Sequence, residues 1–276
     1  MTKTLFKTVS FHPIKPCNMK CKFCFVTFED FKVEKQLSMF MSRKIIKKLR
    51  NAGMEKITFA GGEPLLFKHL LASVKYAKGL GLTTSIITNG SLITDEFLEE
   101  VYPSLDWFGL SVDSTCISTN KKIGRYFKNG FDYYNFIMKI KNPKYDFKIK
   151  INTVVNKYNQ RESLQDFIAY VDPDRWKVFN TLKVRGQNDM HFEEIKSTEF
   201  DRFVDRHYHP NMIVEDNELM TSSYVLVDPL GRFFDDTNGV HTYSDSLLKY
   251  SVEHCLSQVN LSEEKFIERG GIYNWK

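Results

Sequence analysis

The sequence lacks long apolar runs and carries little net charge. No stretch of its 276 residues approaches the length of a membrane span, and residues 1–11 have neither a long apolar core nor a small-residue cleavage site. The formal net charge of +5 does not favour duplex nucleic acid as a partner, but it suits a small anionic ligand if the charges converge. We therefore expect a cytoplasmic monomer with no nucleic-acid partner and no membrane partner.

Cysteines are few, and their positions argue against a disulfide framework. Of the five in the chain, three fall within eight residues: Cys17, Cys21 and Cys24. Such clustering fits a reducing compartment and a metal site. There is also no internal repeat and no low-complexity segment. The length and composition are those of a globular chain and are usual for one α/β barrel.

Short β-rich runs alternate with helical patterns over the first two thirds of the chain, as in βαβ units. The predicted strands are 7–11, 56–60, 83–88, 107–112, 147–155 and 176–182. The predicted helices are 42–52, 68–79, 95–101, 133–140 and 163–170. Ser42 and Asp95 are interpreted as N-caps, and Gly53 and Gly81 as helix stops. The pattern predicts an α/β fold, a partial (βα)6 barrel of the TIM type that is open on one side.

The alternation of strand and helix patterns ends at about residue 190. A helix at 198–206 precedes a hairpin of 224–227 and 232–235 that turns at 228–231, and a last helix and a tail follow. This part has too little core to form a domain of its own. We predict a barrel core at 1–185 and a C-terminal extension at 186–276 that caps the substrate site.

The three clustered cysteines directly follow the first predicted strand. Three thiolates on one loop can each bind one iron of a [4Fe–4S] cluster, which leaves one iron free to bind the methionine end of S-adenosylmethionine (SAM). The alternative is structural zinc, which usually has four protein ligands. Cys116, Cys255 or His12 could complete such a site. Otherwise we expect Cys116 and Cys255 to be ordinary core thiols.

Polar motifs fall at the ends of the next strands, where barrels carry their functional groups. The residues concerned are Gly61, Gly62, Glu63, Asn89, Ser111 and Asp113. The two glycines let the backbone approach a ligand closely, and Glu63 could receive the ammonium group of SAM. Each motif alone is weak, and Gly-Gly-Glu-Pro by itself would be an ordinary turn. Their order after the cysteine loop is what indicates a SAM site.

Cationic side chains alternate with apolar ones in two of the predicted strands. Lys148, Lys150 and Asn152 share one face of the fifth strand, and Arg175 and Lys177 share one face of the sixth. Apolar faces should meet the helices, so the cations should face the barrel interior. Unpaired buried charges are costly, which implies an anion there, and a triphosphate fits. The alternative is an exposed edge strand with protective lysines.

With these motifs the sequence resembles the radical SAM superfamily and, within it, the viperin-like enzymes, over about residues 8–275. The more particular stretches are 17–25, 52–57, 150–152, 175–179 and 269–271. The resemblance implies a radical SAM barrel, a [4Fe–4S] cluster on the three cysteines, SAM, and an external electron donor such as flavodoxin or ferredoxin.

The resemblance also implies a reaction. A 5′-deoxyadenosyl radical takes the 4′ hydrogen of a ribonucleoside triphosphate. Loss of the 3′ hydroxyl as water, followed by reduction and protonation, yields the 3′-deoxy-3′,4′-didehydro analogue, a chain-terminating antiviral nucleotide. CTP is the first expectation, with UTP and GTP open. One rival is another radical SAM reaction, such as glycyl radical enzyme activation or peptide modification. A second rival is a non-catalytic iron–sulfur or zinc interaction module.

Particular residues acquire roles through the resemblance. Met19 and Phe25 join the polar motifs as SAM contacts. The residues matching the triphosphate site are Ser10, Lys56, Lys150, Asn152, Arg175, Lys177 and Arg269. Ser10 departs from the family, which often has asparagine there. Tyr224 matches a tyrosine near the sugar that donates a hydrogen or a proton, although a strand tyrosine packed in a hairpin is an open alternative.

Overall fold

The computed structural model describes residues 6–32, 36–128, 130–191 and 193–275. Within these ranges the strands β1 to β10 are Thr8–Phe11, Lys56–Phe59, Thr83–Thr88, Trp107–Ser111, Lys148–Val155, Arg175–Asn180, Met212–Glu215, Leu226–Val227, Arg232–Asp235 and Thr242–Ser246. The helices α1 to α10 are Met39–Asn51, Leu70–Gly79, Asp95–Val101, Ile117–Ile123, Tyr133–Ile140, Gln165–Val171, Ser197–Asp205, Asn217–Met220, Val252–Leu256 and Glu263–Glu268. None of the described helices is long and apolar enough to cross a bilayer.

All ten strands form one sheet, in the order β10-β9-β8-β1-β2-β3-β4-β5-β6-β7. From β8 through β7 every neighbouring pair is parallel, whereas β9 and β10 are added antiparallel. Helices connect the successive parallel strands, as parallel pairing requires. The predicted α/β class and the partial barrel are confirmed, because β1 to β6 follow chain order and the sheet ends at β10 and β7 without closing.

Four residues were predicted to begin or end a helix, and the two predicted N-caps are wrong, each because an earlier hydroxyl caps the helix. Ser38 accepts the N–H of Met41 at 3.2 Å and begins α1, so Ser42 lies inside the helix. Thr94 likewise caps α3, one residue before Asp95. The two predicted stops are confirmed: Gly53 and Gly81 have φ of +100° and +76°, a conformation that glycine adopts without steric cost.

The chain after residue 186 continues the same sheet at both edges. Strand β7 pairs with β6, and β8 pairs with β1. The predicted hairpin is confirmed in β8 and β9, with Asp228 N–H donating to the Arg232 carbonyl at 2.9 Å. Strands β7 and β10, helices α4 and α8, and a second C-terminal helix were not predicted. The division at residue 185 stays a prediction.

The core lies between the sheet and its helices. Aromatic side chains such as Phe11, Phe59, Phe108 and Trp176 are fully buried there, and each contributes roughly 1.5–3 kcal/mol through burial. Strands β5 and β6 lie inside the sheet with a neighbour on each side. The edge-strand interpretation of their lysines is therefore wrong.

Candidate active site

A cavity of about 290 Å³ brings the predicted site residues together. Of the residues predicted to bind the cluster, SAM or substrate, all but one line it: Ser10, Cys17, Met19, Cys21, Cys24, Phe25, Lys56, Gly61, Gly62, Glu63, Asn89, Ser111, Lys150, Asn152, Arg175, Lys177, Tyr224 and Arg269. The exception is Asp113. The cavity has two ends, which we call the thiol end, around the three cysteines, and the cationic end, around the lysines and arginines.

The glycines after β2 hold the cysteine loop in place. Gly62 N–H donates to the Ile14 carbonyl at 2.8 Å, and Glu63 N–H donates to the Pro16 carbonyl at 2.9 Å. A Cβ on Gly62 would stand 2.2 Å from the Pro16 carbonyl oxygen, closer than any real contact. Glycine is thus required here by an approach to the protein's own backbone, a reason that the motif alone did not give.

A third glycine holds the loop from its other side. Lys20 N–H donates to the Gly124 carbonyl at 3.0 Å, and a Cβ on Gly124 would stand 2.0 Å from the Lys20 carbonyl oxygen. Gly124 has φ of +88° and ends α4. Because the loop is fixed between two separate backbone segments, the three thiols are presented in a defined arrangement.

The three thiols suit a cationic cluster. All are free, and burial raises the pKa of each, that of Cys21 to about 12. A buried thiolate needs nearby positive charge, which iron supplies. Cys116 is exposed, which corrects the expectation of a core thiol, and Cys255 lies in the hydrophobic core. Neither of these two cysteines lines the cavity, whereas His12, the third candidate for a fourth ligand, does.

No group of three histidine, cysteine or acidic side chains in the described ranges converges on a single ion. In a cubane cluster each thiolate binds a different iron, so its thiols stand farther apart than the ligands of one zinc ion. The thiol end therefore fits the cluster better than it fits structural zinc.

Glu63 is buried beside the cysteines. Its carboxylate accepts hydrogen bonds from the Thr88 hydroxyl at 2.6 Å and from Asn89 N–H at 3.0 Å. Burial raises the pKa of this carboxyl above its usual value. Asn89 donates to the Asn18 side chain at 2.9 Å. Asn18, which lies between two cysteines, was missed as a member of this network.

Asp113 lies behind the cavity wall and does not line it. Its carboxylate is fully buried, accepts Val154 N–H at 2.9 Å, and forms an ion pair with Arg125. Arg125 does line the cavity, at the thiol end. Sequence reasoning missed Arg125 because no motif includes it; its position one residue after the helix stop Gly124 is the only local signal.

The cationic end is assembled by strand register. Lys150 on β5 pairs with Arg175 on β6, and Asn152 pairs with Lys177 and with Ser111 on β4. The alternation is confirmed for most of the two strands: Ile151, Trp176 and Val178 are fully buried in the core, and Lys150, Asn152, Arg175 and Lys177 line the cavity. Lys148 is the exception, because it is not among the cavity-lining residues and its Nζ lies 5.5 Å from the ring centroid of Trp107.

Without a bound anion, burial of these cations destabilises the folded chain, because their charges are partly removed from water. Desolvation, followed by the charge of Arg175, lowers the pKa of Lys150 to about 7. Desolvation also lowers the pKa of Lys56 and that of Lys177 well below the usual lysine value. The buried Asn152 Oδ1 and Arg175 Nε have no hydrogen-bond partner in the described part of the chain. A multiply charged anion would accept a hydrogen bond from Arg175 Nε and balance the lysine charges, whereas Asn152 Oδ1 needs a donor such as a hydroxyl or amino group.

The C-terminal tail contacts the same cations. Tyr273 accepts a hydrogen bond from Lys56 Nζ at 2.5 Å, and its ring lies under Arg175, with 4.1 Å between guanidinium carbon and ring centroid. Arg175 also donates to the Gly270 carbonyl at 2.7 Å. The tail is therefore part of the cavity wall.

Tyr224 lies between the two ends. It packs against the small apolar cluster of Val26, Phe28, Leu226 and Phe234 beside the cysteine loop, while Arg269 lies 3.7 Å from its ring centroid. Its hydroxyl meets Lys177 and the buried carboxylate of Glu215. Tyr224 precedes β8, which begins at Leu226, and it contacts members of the hairpin as well as lining the cavity, so its role as a donor stays a prediction. Sequence reasoning missed Glu215 entirely.

Comparison with known sequences gives one family and a set of close relatives. Residues 13–197 match the Radical SAM superfamily. An S-adenosylmethionine-dependent nucleotide dehydratase of Lacinutrix mariniflava is 46% identical over 97% of this chain, which spans 58% of that protein. Enzymes of the same name from Flammeovirga pacifica and Psychrobacter lutiphocae are 43% and 34% identical, over 99% and 95% of this chain and 97% and 93% of their own lengths.

Comparison with solved structures gives the fold. Streptococcus suis SuiB bound to S-adenosylmethionine superposes with a TM-score of 0.67 at 18% identity, covering 82% of this chain and 59% of that one. The enzyme anSMEcpe with bound AdoMet and a peptide gives a TM-score of 0.66 at 16% identity, covering 95% and 82%. At these identities the likeness extends to the barrel and not to the substrate.

Proposed function

Because this chain belongs to the radical SAM superfamily and, within it, to the S-adenosylmethionine-dependent nucleotide dehydratases, we propose that it dehydrates a ribonucleoside triphosphate to the 3′-deoxy-3′,4′-didehydro analogue. CTP is the first candidate substrate, and UTP and GTP are the alternatives. The product lacks the hydroxyl that a polymerase extends, which fits an antiviral role.

The observation that carries this proposal is the continuity of the cavity. Three thiols at one end and five cationic side chains at the other line a single space: Lys56, Lys150, Arg175, Lys177 and Arg269. A triphosphate carries enough negative charge to balance these cations. Burial lowers the pKa values of four of them, Lys56, Lys150, Arg175 and Lys177. Arginine can bind phosphate oxygens through two donors, and lysine acts as a point charge.

The thiolates of Cys17, Cys21 and Cys24 would hold the cluster. With SAM bound, that cluster supplies the 5′-deoxyadenosyl radical that takes a hydrogen atom from the ribose. The chain's own contribution is position. The cations fix the phosphates, so that the sugar lies between the two ends, beside Tyr224. A phenol there can give a hydrogen atom as the 3′ hydroxyl departs as water. If the phenol gives only a proton, the external one-electron donor supplies the accompanying electron.

We assign the remaining contacts by their end of the cavity. SAM contacts are Met19, Phe25, Gly61, Gly62, Glu63, Asn89 and Ser111. Asp113 acts on this set through Arg125. Ser10 and Asn152 join the five cations around the nucleotide. We also propose an external one-electron donor of the flavodoxin or ferredoxin class, a monomeric state, a cytoplasmic location, and a cap formed by residues 186–276 over a core at 1–185.

The test is an anaerobic assay of the reconstituted, reduced protein with each of the four ribonucleoside triphosphates. We expect one of them to stimulate 5′-deoxyadenosine formation and to yield a product lighter by one water, measured by mass spectrometry. A 3′-deoxynucleotide with the same base is the matched control, because it keeps the 4′ hydrogen and has no hydroxyl to lose.

Two results would contradict the proposal. SAM cleavage that no nucleotide stimulates would favour another radical SAM substrate, such as a peptide or a glycyl radical enzyme. Absence of SAM cleavage from protein that carries its full complement of iron would favour a non-catalytic module.

A further inference from the structure

Glu215 is a buried carboxylate among the cations, and no motif assigned it a role. It ends β7, beside β6, and none of its surface is exposed. One carboxylate oxygen accepts a hydrogen bond from Lys177 Nζ, and the other accepts one from the Tyr224 hydroxyl. Lys177 Nζ also lies 2.9 Å from the Tyr224 oxygen. The three groups form a closed triangle.

The charge state of Glu215 decides what the triangle does. Burial opposes ionisation, but the charges of Lys177 and Arg269 outweigh it and hold the pKa of this carboxyl below its usual value. Glu215 is therefore ionised at neutral pH and can only accept hydrogen bonds. The phenol hydrogen of Tyr224 is directed at Glu215, and the phenol oxygen receives Lys177.

The triangle also joins the two ends of the cavity. Lys177 belongs to the cationic end, and Tyr224 packs against the small apolar cluster beside the cysteine loop. A group that fixes both side chains fixes the distance between the bound phosphates and the phenol. The wrong distance would leave the phosphates bound and the sugar out of line with the phenol.

We propose that Glu215 is a positioning residue for the dehydration, holding Tyr224 and Lys177 so that the phenol faces the sugar of the phosphate-bound nucleotide. This inference rests on the proposed function. It gives Glu215 no contact with substrate. It also predicts that Glu215 works against nucleotide affinity, because its charge neutralises one of the cations that the phosphates need.

The test is Glu215→Gln, which keeps the shape of the side chain and removes its charge. Because the amide offers one acceptor atom where the carboxylate has two, it cannot hold Lys177 and Tyr224 together. We expect nucleotide affinity, measured by calorimetry, to be unchanged or higher, while kcat for product falls at least tenfold. The ratio of 5′-deoxyadenosine to product should rise in parallel, since SAM cleavage then runs uncoupled from dehydration.

Glu218→Gln is the matched control, because Glu218 lies nearby on α8 and forms an exposed ion pair with Lys265. It should leave affinity, kcat and coupling unchanged. A purely structural role for Glu215 would instead lower affinity, kcat and the melting temperature together, and that result would overturn the proposal. Wild-type coupling in Glu215→Gln would overturn it as well.

Glu215→Asp decides the case if the glutamine variant does not fold. Aspartate keeps the charge but is too short to reach both partners, so we expect intermediate coupling; wild-type coupling in this variant would overturn the inference. If the unmodified protein dehydrates none of the four nucleotides, the proposed function fails and this inference fails with it. A failure confined to the Glu215 variants leaves the proposed function intact.

Discussion

The two ends of the cavity are built in different ways. At the thiol end, backbone hydrogen bonds and three glycines hold one loop, and the nearby carboxylate of Glu63 is satisfied by local donors. At the cationic end, charged side chains from β2, β5, β6 and the C-terminal tail converge, and burial lowers the pKa values of the lysines there. The thiol end is held in place by the fold itself. The cationic end brings positive charges close together, and a bound anion would reduce the repulsion between them.

The molecule thus separates two tasks, which are to hold a cluster and to bind a triphosphate. A cluster needs fixed thiols, which close backbone contacts provide at little electrostatic cost. A triphosphate needs concentrated positive charge, which destabilises the unliganded fold and stabilises the complex. Variants at the two ends should therefore have opposite effects.

The largest expected effect is at the thiol end. Cys21→Ser should abolish the brown chromophore and 5′-deoxyadenosine formation, because the serine hydroxyl is a harder, more basic ligand than a thiolate. The nucleotide-induced rise in melting temperature should persist, since the cationic end is untouched. Iron analysis and thermal denaturation measure both, with the exposed Cys116→Ser as control. SAM cleavage at the normal rate in Cys21→Ser would contradict the assignment.

Lys150→Met should do the reverse at the cationic end. We expect nucleotide affinity to fall about tenfold to a hundredfold, because one charge-assisted contact is lost, with iron content unchanged. The unliganded variant should melt at a higher temperature than the unmodified protein, because a partly buried ammonium among other cations has been removed. The exposed Lys47→Met on α1 is the control. A lower melting temperature for Lys150→Met would show that the charge is balanced within the chain.

A smaller effect is expected where the C-terminal part supports the cysteine loop. The Gln187 side chain accepts Thr27 N–H at 3.1 Å and Phe28 N–H at 2.6 Å. Gln187→Ala should lower the free energy of unfolding by about 1–3 kcal/mol and slow cluster reconstitution, with nucleotide affinity preserved. Denaturant titration measures this, and Gln258→Ala, at an exposed amide, is the matched variant. If Gln187→Ala and the unmodified protein reconstitute the cluster at equal rates, Gln187 does not support the cysteine loop.

The smallest effect is a pH dependence confined to the cationic end. The pKa of Lys150 is about 7 without ligand, and bound phosphate raises it, so binding above pH 7 takes up a proton. Affinity should therefore fall as pH rises from 7 to 9, by at most about tenfold per unit for this group. Calorimetry in buffers of different ionisation enthalpy measures the uptake, and affinity that is constant or rises with pH would contradict it.

The sequence alone determined the barrel strands, the cysteine loop and the inward cations. These are local signals: alternation of period two within a strand, close cysteine spacing, and turn residues at strand ends. Helix starts were less certain because several hydroxyls compete to cap the same turn, as Ser38 and Ser42 do. The strands at the sheet edges were missed because short edge strands carry little pattern.

The grouping of side chains on each wall of the cavity could not be predicted from the sequence and is seen only in the folded chain. Arg125 and Glu215 lie in segments without a motif, and nothing in the sequence indicates that they pair with Asp113 and Tyr224. Asp113 seemed to face SAM because strand ends usually do, whereas its carboxylate is turned toward an arginine. Local patterns fix the direction of a side chain within its strand. The balance of buried charge depends on contacts between strands and tail, which only the folded chain brings together.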